Sequence, residues 1–164
     1  MANEFEPITG KYFTLEVAGT SYRIYMEESG AGIPLLCLHT AGSDARQFRH
    51  ILCDKDITSR FRVIAFDMPW HGKSNPPDNF HTTEYKLTVD GYKRIVTAFI
   101  AALGLDKPVV MGCSMGGRIV CHLALENPLQ YRAMIALEGA DNLLPYYDLD
   151  WLHRPDVHGG EIQA

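Results

Sequence analysis

The stretch Gly112-Cys113-Ser114-Met115-Gly116-Gly117 constrains this chain more than any other part of it. Just before it, Lys107-Pro108-Val109-Val110-Met111 reads as a short buried strand, apolar and β-branched. Just after it, Arg118 to Glu126 reads as a helix. A strand that becomes a helix within so tight a turn leaves no room for side chains two before and two after its tip. Gly112 and Gly116 therefore have to be glycine. Ser114 then sits at the tip in a strained backbone conformation, its hydroxyl exposed and a helix N-terminus behind it. Composition alone predicts about 0.04 chance occurrences of Gly-x-Ser-x-Gly in a chain of this kind, before the strand and helix are counted.

The rest of the chain supplies a sheet to hold that turn. Lys11–Val17 and Ser21–Glu27 alternate in polarity around Ala18-Gly19-Thr20, which predicts a β-hairpin. Ile33–Leu38 is a continuous apolar run, as expected of a parallel strand covered on both faces, and Phe61–Phe66 reads as the next buried strand. A helix is expected from Asp44 to about Asp56. A second, longer one is expected where Leu87, Tyr92, Ile95, Val96, Phe99, Ile100 and Leu103 recur at helical spacing, with Gly104 placed to end it. Asn127-Pro128 stops the helix that follows Ser114, and Tyr131–Leu137 reads as a further strand. Strands alternating with helices predict an α/β fold, a doubly wound and mostly parallel sheet with the hairpin at its N-terminal end. The expected division is a core over residues 1–139 and an irregular, aromatic segment over 140–164.

Composition narrows the partners. At 164 residues, with 46% hydrophobic and 21% charged residues, the chain has the make-up of one ordinary globular domain. A formal charge of −5 and the lack of any basic run argue against nucleic acid. No apolar run approaches a membrane span, and the polar start from Met1 to Pro7 does not read as a signal peptide. Cys37, Cys53, Cys113 and Cys121 lack metal-site spacing and read as reduced thiols, which favours a cytoplasmic setting and no metal.

A Gly-x-Ser-x-Gly sequence in a strand-to-helix turn is the pattern of a nucleophile elbow. Three other landmarks stand in order around it. Leu38-His39-Thr40-Ala41-Gly42 follows the third strand, Phe66-Asp67-Met68-Pro69-Trp70-His71-Gly72-Lys73-Ser74 the fourth, and Ala136-Leu137-Glu138-Gly139 the sixth. With these, the chain resembles the α/β-hydrolase superfamily along nearly its whole length, in the variety of small esterases, carbon–carbon bond hydrolases and haloperoxidase-like enzymes. The resemblance implies that Ser114 attacks a carbonyl and that two backbone N–H groups hold the resulting oxyanion, those of Met115 and Ala41. Thr40 stands where the family usually has glycine. The resemblance gives His39 the task of orienting the oxyanion loop, and reads His71, Asp67 and Gly72 as structural.

A serine nucleophile needs a histidine to take its proton and a carboxylate to orient that histidine. In the resembling family the histidine lies after the last strand and the acid usually after the seventh. The sequence ends before either strand, so the chain is expected to be the N-terminal portion of a longer protein, with its partner the remaining C-terminal half. Glu138 is the candidate acid in hand, an acid beyond this sequence is the alternative, and Asp141 is a third choice. The implied function is a serine hydrolase acting through an acyl-enzyme on an apolar ester or related carbonyl substrate, without metal or organic cofactor. Carbon–carbon bond hydrolysis on the same fold and a non-catalytic ligand-binding scaffold are the alternatives. Residues 140–164 are read as the opening of a lid.

Overall fold

A computed structural model describes residues 5–82 and 86–139 of the chain. Six strands form one sheet: β1 (Thr9–Val17), β2 (Thr20–Ser29), β3 (Ile33–Leu38), β4 (Phe61–Phe66), β5 (Val109–Cys113) and β6 (Ala133–Leu137). Their spatial order is β1-β2-β4-β3-β5-β6. The hairpin β1–β2 is antiparallel and joins β4 antiparallel, while β4, β3, β5 and β6 run parallel. Val17 pairs with Thr20, and the turn residues Ala18 and Gly19 both take positive φ (51° and 81°). That two-residue turn matches the right-handed twist of the strands it joins.

Between β3 and β4 the sequence predicts one helix, and the structure divides it. Ala45–Phe48 forms a 3₁₀ turn, then come α1 (Arg49–Cys53) and α2 (Lys55–Thr58). The break is at Asp54, whose ψ of 115° is extended and whose carboxylate accepts the N–H groups of Asp56 and Ile57. An aspartate in mid-helix competes for backbone donors and starts a new helix instead of continuing the old one. Helix α3 (Val89–Ala102) starts at Thr88, whose hydroxyl caps it by accepting the Gly91 N–H at 3.0 Å. Leu87 lies just outside it, and Gly104 (φ 59°) follows its end as expected. Helix α4 (Met115–Glu126) begins directly after Ser114, three residues earlier than its apolar pattern suggests, so Gly116 and Gly117 are helical.

Side chains alternate between two cores. From β3, Leu36 and Leu38 face Phe66, Tyr92, Val96, Phe99, Ile119 and Val120, which places α3 and α4 on one face of the sheet. Leu35 and Cys37 face Val63, Phe48 and Leu52 on the other. Helices on both faces make the sheet doubly wound, and burial on both sides explains why β3 is an unbroken apolar run and why β4 is apolar over 63–66. Burial pushes the Cys37 thiol up to about 12, and all four cysteines are free thiols. The sheet's other margin is different. Ile135 and Leu137 of β6 remain 41% and 45% exposed. Among the described residues β6 pairs only with β5 and no strand follows it. No helix among the described residues is long and apolar enough to cross a membrane. The expected lid segment, 140–164, lies outside the described residues.

Candidate functional site

The strand order fixes where a ligand can enter. The chain leaves β3 for β4 on one side, and later leaves β5 for β6 on the other, yet β3 and β5 are neighbours. The connections after these two strands therefore diverge and leave a crevice at their carboxyl ends, the usual ligand position in such a sheet. Leu38, the last residue of β3, pairs with Gly112. The register thus brings the loop that follows His39 alongside Ser114.

Ser114 caps α4 with φ 52° and ψ −110°, a strained conformation for a residue with a side chain, and it is exposed. Its N–H donates to the Leu137 carbonyl at 2.9 Å, and its carbonyl accepts from Arg118 at 2.8 Å. The turn is thereby tied to β6 at one end and to the helix at the other. Met115 is the first residue of α4, so its N–H belongs to the first-turn donors that a helix cannot satisfy internally. The glycines explain the tightness, each in its own way. A Cβ on Gly112 would lie 2.3 Å from the Gly116 carbonyl, across the turn. A Cβ on Gly116 would lie 2.2 Å from the Leu38 carbonyl, against the neighbouring strand.

The loop after β3 is held at Thr40. His39 is fully buried; its Nδ1–H donates to the Thr40 carbonyl at 2.8 Å and its Nε2 accepts the Met68 N–H at 3.0 Å. Those two bonds define one neutral tautomer. Desolvation by burial holds its imidazole below the ordinary 6.5. The Thr40 N–H donates to Gln47 Oε1 at 2.9 Å. With Thr40 engaged on both sides, the Ala41 N–H is the next donor along the loop. Thr40 is not among the residues with positive φ, whereas Gly42 is (69°). A threonine can therefore occupy the position where the family pattern has glycine. Gln47 carries no motif, and nothing in the sequence pattern signals its part in holding the loop.

Asp67 anchors the next turn. It is 2% exposed, and its two carboxylate oxygens accept the N–H groups of Ala45 and Lys73, each at 2.7 Å. A Cβ on Gly72 would fall 2.2 Å from Asp67 Oδ2, so the turn closes only with glycine there. His71 packs against His39 with ring centroids 5.0 Å apart.

Ser114, Met115, Ala41 and Glu138 line one cavity of about 640 Å³, together with Thr40, Leu87, Thr88, Val89, Tyr92, Arg118 and Ile119. Glu138 has positive φ (51°) and accepts the Cys113 thiol at 3.9 Å. The structure thus brings the serine, two backbone donors and a carboxylate together. None of the histidines among the described residues lines this cavity. The sequence marks Arg118 only as the start of a helix. Its spacing of one helical turn from Ser114 is the signal that could place it in the cavity.

The sequence model of the alpha/beta hydrolase fold matches residues 33–156. The chain is 33% identical over 128 residues to a 2-hydroxy-6-oxo-6-phenylhexa-2,4-dienoate hydrolase of Burkholderia cepacia, a match covering 75% of this chain and 42% of that protein. It is 29% identical over 113 residues to haloalkane dehalogenase 2 of Mycobacterium tuberculosis (strain CDC 1551 / Oshkosh), covering 69% of this chain and 37% of the relative. A thermophilic esterase from Thermogutta terrifontis shares the fold, with a TM-score of 0.62 at 23% identity over 76% of this chain and 44% of that one. The chain spans less than half the length of the relatives it matches.

Proposed function

The chain belongs to the alpha/beta hydrolase fold family, and on that premise we propose that it carries the nucleophile and oxyanion hole of a serine hydrolase. One observation carries the reading: an exposed Ser114 at φ 52°, ψ −110°, on a cavity it shares with Met115 and Ala41. Strain of that kind costs on the order of 1–3 kcal/mol and persists where the surroundings over-determine it. An idle serine would not need it.

In this reading Ser114 Oγ attacks the substrate carbonyl while its proton passes to a histidine. The oxyanion accepts hydrogen bonds from the Met115 and Ala41 N–H groups, donors of a kind worth about 2.7–4 kcal/mol of barrier lowering each. His39 holds the Ala41 loop through Thr40 and takes no proton, because its Nε2 is already occupied by Met68. Collapse of the tetrahedral species expels the leaving group and leaves an acyl-enzyme, which water then hydrolyses. Glu138 is the candidate acid. The histidine is supplied by the remainder of a longer polypeptide, whose further strands would also cover Ile135 and Leu137 on β6. Four free cysteines suit a reducing, cytoplasmic setting.

Esters are the first substrate class of this reading. The relative named as a 6-oxo-dienoate hydrolase favours a second one, carbon–carbon bond hydrolysis with the same serine. The test is turnover of 4-nitrophenyl butyrate by the full-length protein and by its Ser114→Ala variant. Hydrolysis that disappears with Ser114 supports the reading. Equal rates in the two proteins refute it, and a folded protein that binds the ester without turning it over supports a ligand-binding scaffold instead.

A further inference from the structure

Among the described residues, Arg118 is the one cationic side chain lining the Ser114 cavity. It stands in the first turn of α4, and its own N–H donates to the Ser114 carbonyl. Residues four apart lie above one another on a helix face, so its side chain shares the face of α4 on which Ser114 sits. Its Nε is buried and has no hydrogen-bond partner among the described residues. The arginines at 46, 49 and 62 each pair with a carboxylate. Arg118 takes part in no such pair among the described residues, although Glu138 lines the same cavity.

A guanidinium can hardly lose its charge, so a buried N–H on it has to be met by an acceptor. The remaining wall is apolar on the side of Leu87, Val89, Met115 and Ile119. The positive end of the α4 dipole adds to the field at the same spot. The cavity therefore suits a group that offers two acceptor oxygens in one plane, as a carboxylate does to an arginine fork.

We propose that Arg118 is a specificity-determining residue of this cavity, and that the substrate is a carbonyl compound bearing a carboxylate close to the bond that is cleaved. The inference rests on Ser114 being the nucleophile for its kinetic arm only. Its binding arm is independent of chemistry.

For binding, the full-length Ser114→Ala protein is titrated calorimetrically with hexanoate and, separately, with hexanamide, before and after Arg118→Gln. Hexanoate should lose at least about tenfold in affinity relative to hexanamide, the lower end for a hydrogen bond to a charged group. Arg118→Lys should restore only part of the difference, because an ammonium keeps the charge without the fork. For kinetics, the enzyme with Ser114 is compared on mono-4-nitrophenyl glutarate and 4-nitrophenyl butyrate. The ratio of kcat/KM for the anionic over the neutral ester should fall at least about tenfold in Arg118→Gln. If both ligands weaken equally, or hexanoate shows no preference in the parent protein, the proposal is overturned. If neither ester turns over while Arg118→Gln still weakens hexanoate selectively, the hydrolase reading fails and the recognition proposal stands.

Discussion

Adding one methyl group at the elbow should cost far more than a methyl group normally does, and the structure says how much. In Gly112→Ala the new Cβ would stand 2.3 Å from both the carbonyl carbon and oxygen of Gly116 and 2.8 Å from the Gly117 nitrogen. In Gly116→Ala it would stand 2.2 Å from the Leu38 oxygen. Every one of those atoms is backbone, so no rotamer change relieves the contact. Reaching an ordinary separation takes about 1 Å of main-chain movement in a closely packed interior. Overpacking usually costs about 1–3 kcal/mol, and with main chain on both sides we expect about 3 kcal/mol or more for each variant. Gly91→Ala is the control. Its Cβ meets only the Thr88 hydroxyl, at 3.2 Å, and alanine is better than glycine in a helix by about 0.8–1.0 kcal/mol. The same chemical change should therefore be neutral or stabilising at 91. Urea unfolding of the three variants measures this. With a slope of about 2 kcal/mol per M, the elbow variants should lose roughly 1.5 M in midpoint. Elbow variants that unfold within about 0.5 M of the parent would mean that close approach is not what keeps these positions glycine.

Two further outcomes follow from buried polar groups. Asp67→Ala leaves the N–H groups of Ala45 and Lys73 without their acceptor. At about 1–3 kcal/mol for each orphaned donor, the loss should be about 2–6 kcal/mol, measured by the same unfolding experiment. His39 predicts a pH dependence. Burial keeps its folded-state value below 6.5, and protonating Nε2 would also break its bond from Met68. Between that lowered value and 6.5 the unfolded chain binds a proton that the folded chain does not. Stability is therefore full above about 6.5 and declines as pH falls through this window. His39→Gln can still accept the Met68 N–H but cannot titrate, so unfolding midpoints measured from pH 7.5 to 5.5 should slope less in the variant. Glu27 and Asp44 are held below their ordinary values chiefly by side-chain hydrogen bonds from Arg49 and Arg46. Desolvation works upward on Glu28, but Lys11 and Arg62 together outweigh it. The losses from these three carboxylates come only in more acidic solution.

Much of the fold can be read from the sequence because its central strands, β3, β4 and β5, are buried on both faces. Ile33–Leu38 and Phe61–Phe66 have the same bounds in the sequence reading and as strands, since apolar side chains are needed wherever two cores meet one sheet. The helix after β3 departs from its reading because apolar spacing is silent about Asp54, whose side chain captures two backbone donors. The start of α4 departs for the opposite reason. Gly116 and Gly117 are poor helix formers, and packing against β3 and β6 holds them helical. At the site, the turn that holds Ser114 is legible because it is a local consequence of sequence, whereas Met115 and Ala41 are reached through the family resemblance and meet Ser114 through the long-range register of β3 on β5. Gln47 is not legible, and Arg118 is legible only as a residue one helical turn from Ser114. Their parts depend on which neighbours they meet, and no spacing rule records that Gln47 accepts from Thr40 or that Arg118 Nε meets no acceptor among the described residues.

Covalent labelling reports on whether Ser114 is the nucleophile. The full-length protein is treated with a fluorophosphonate, and the adduct is located by peptide mass spectrometry beside the Ser114→Ala variant and the 164-residue chain alone. A single adduct on Ser114 is expected, none in the variant, and little or none on the isolated chain, which would lack the histidine that activates the serine. Labelling at another residue, or an unlabelled Ser114 in a folded full-length protein, would contradict Ser114 as the nucleophile.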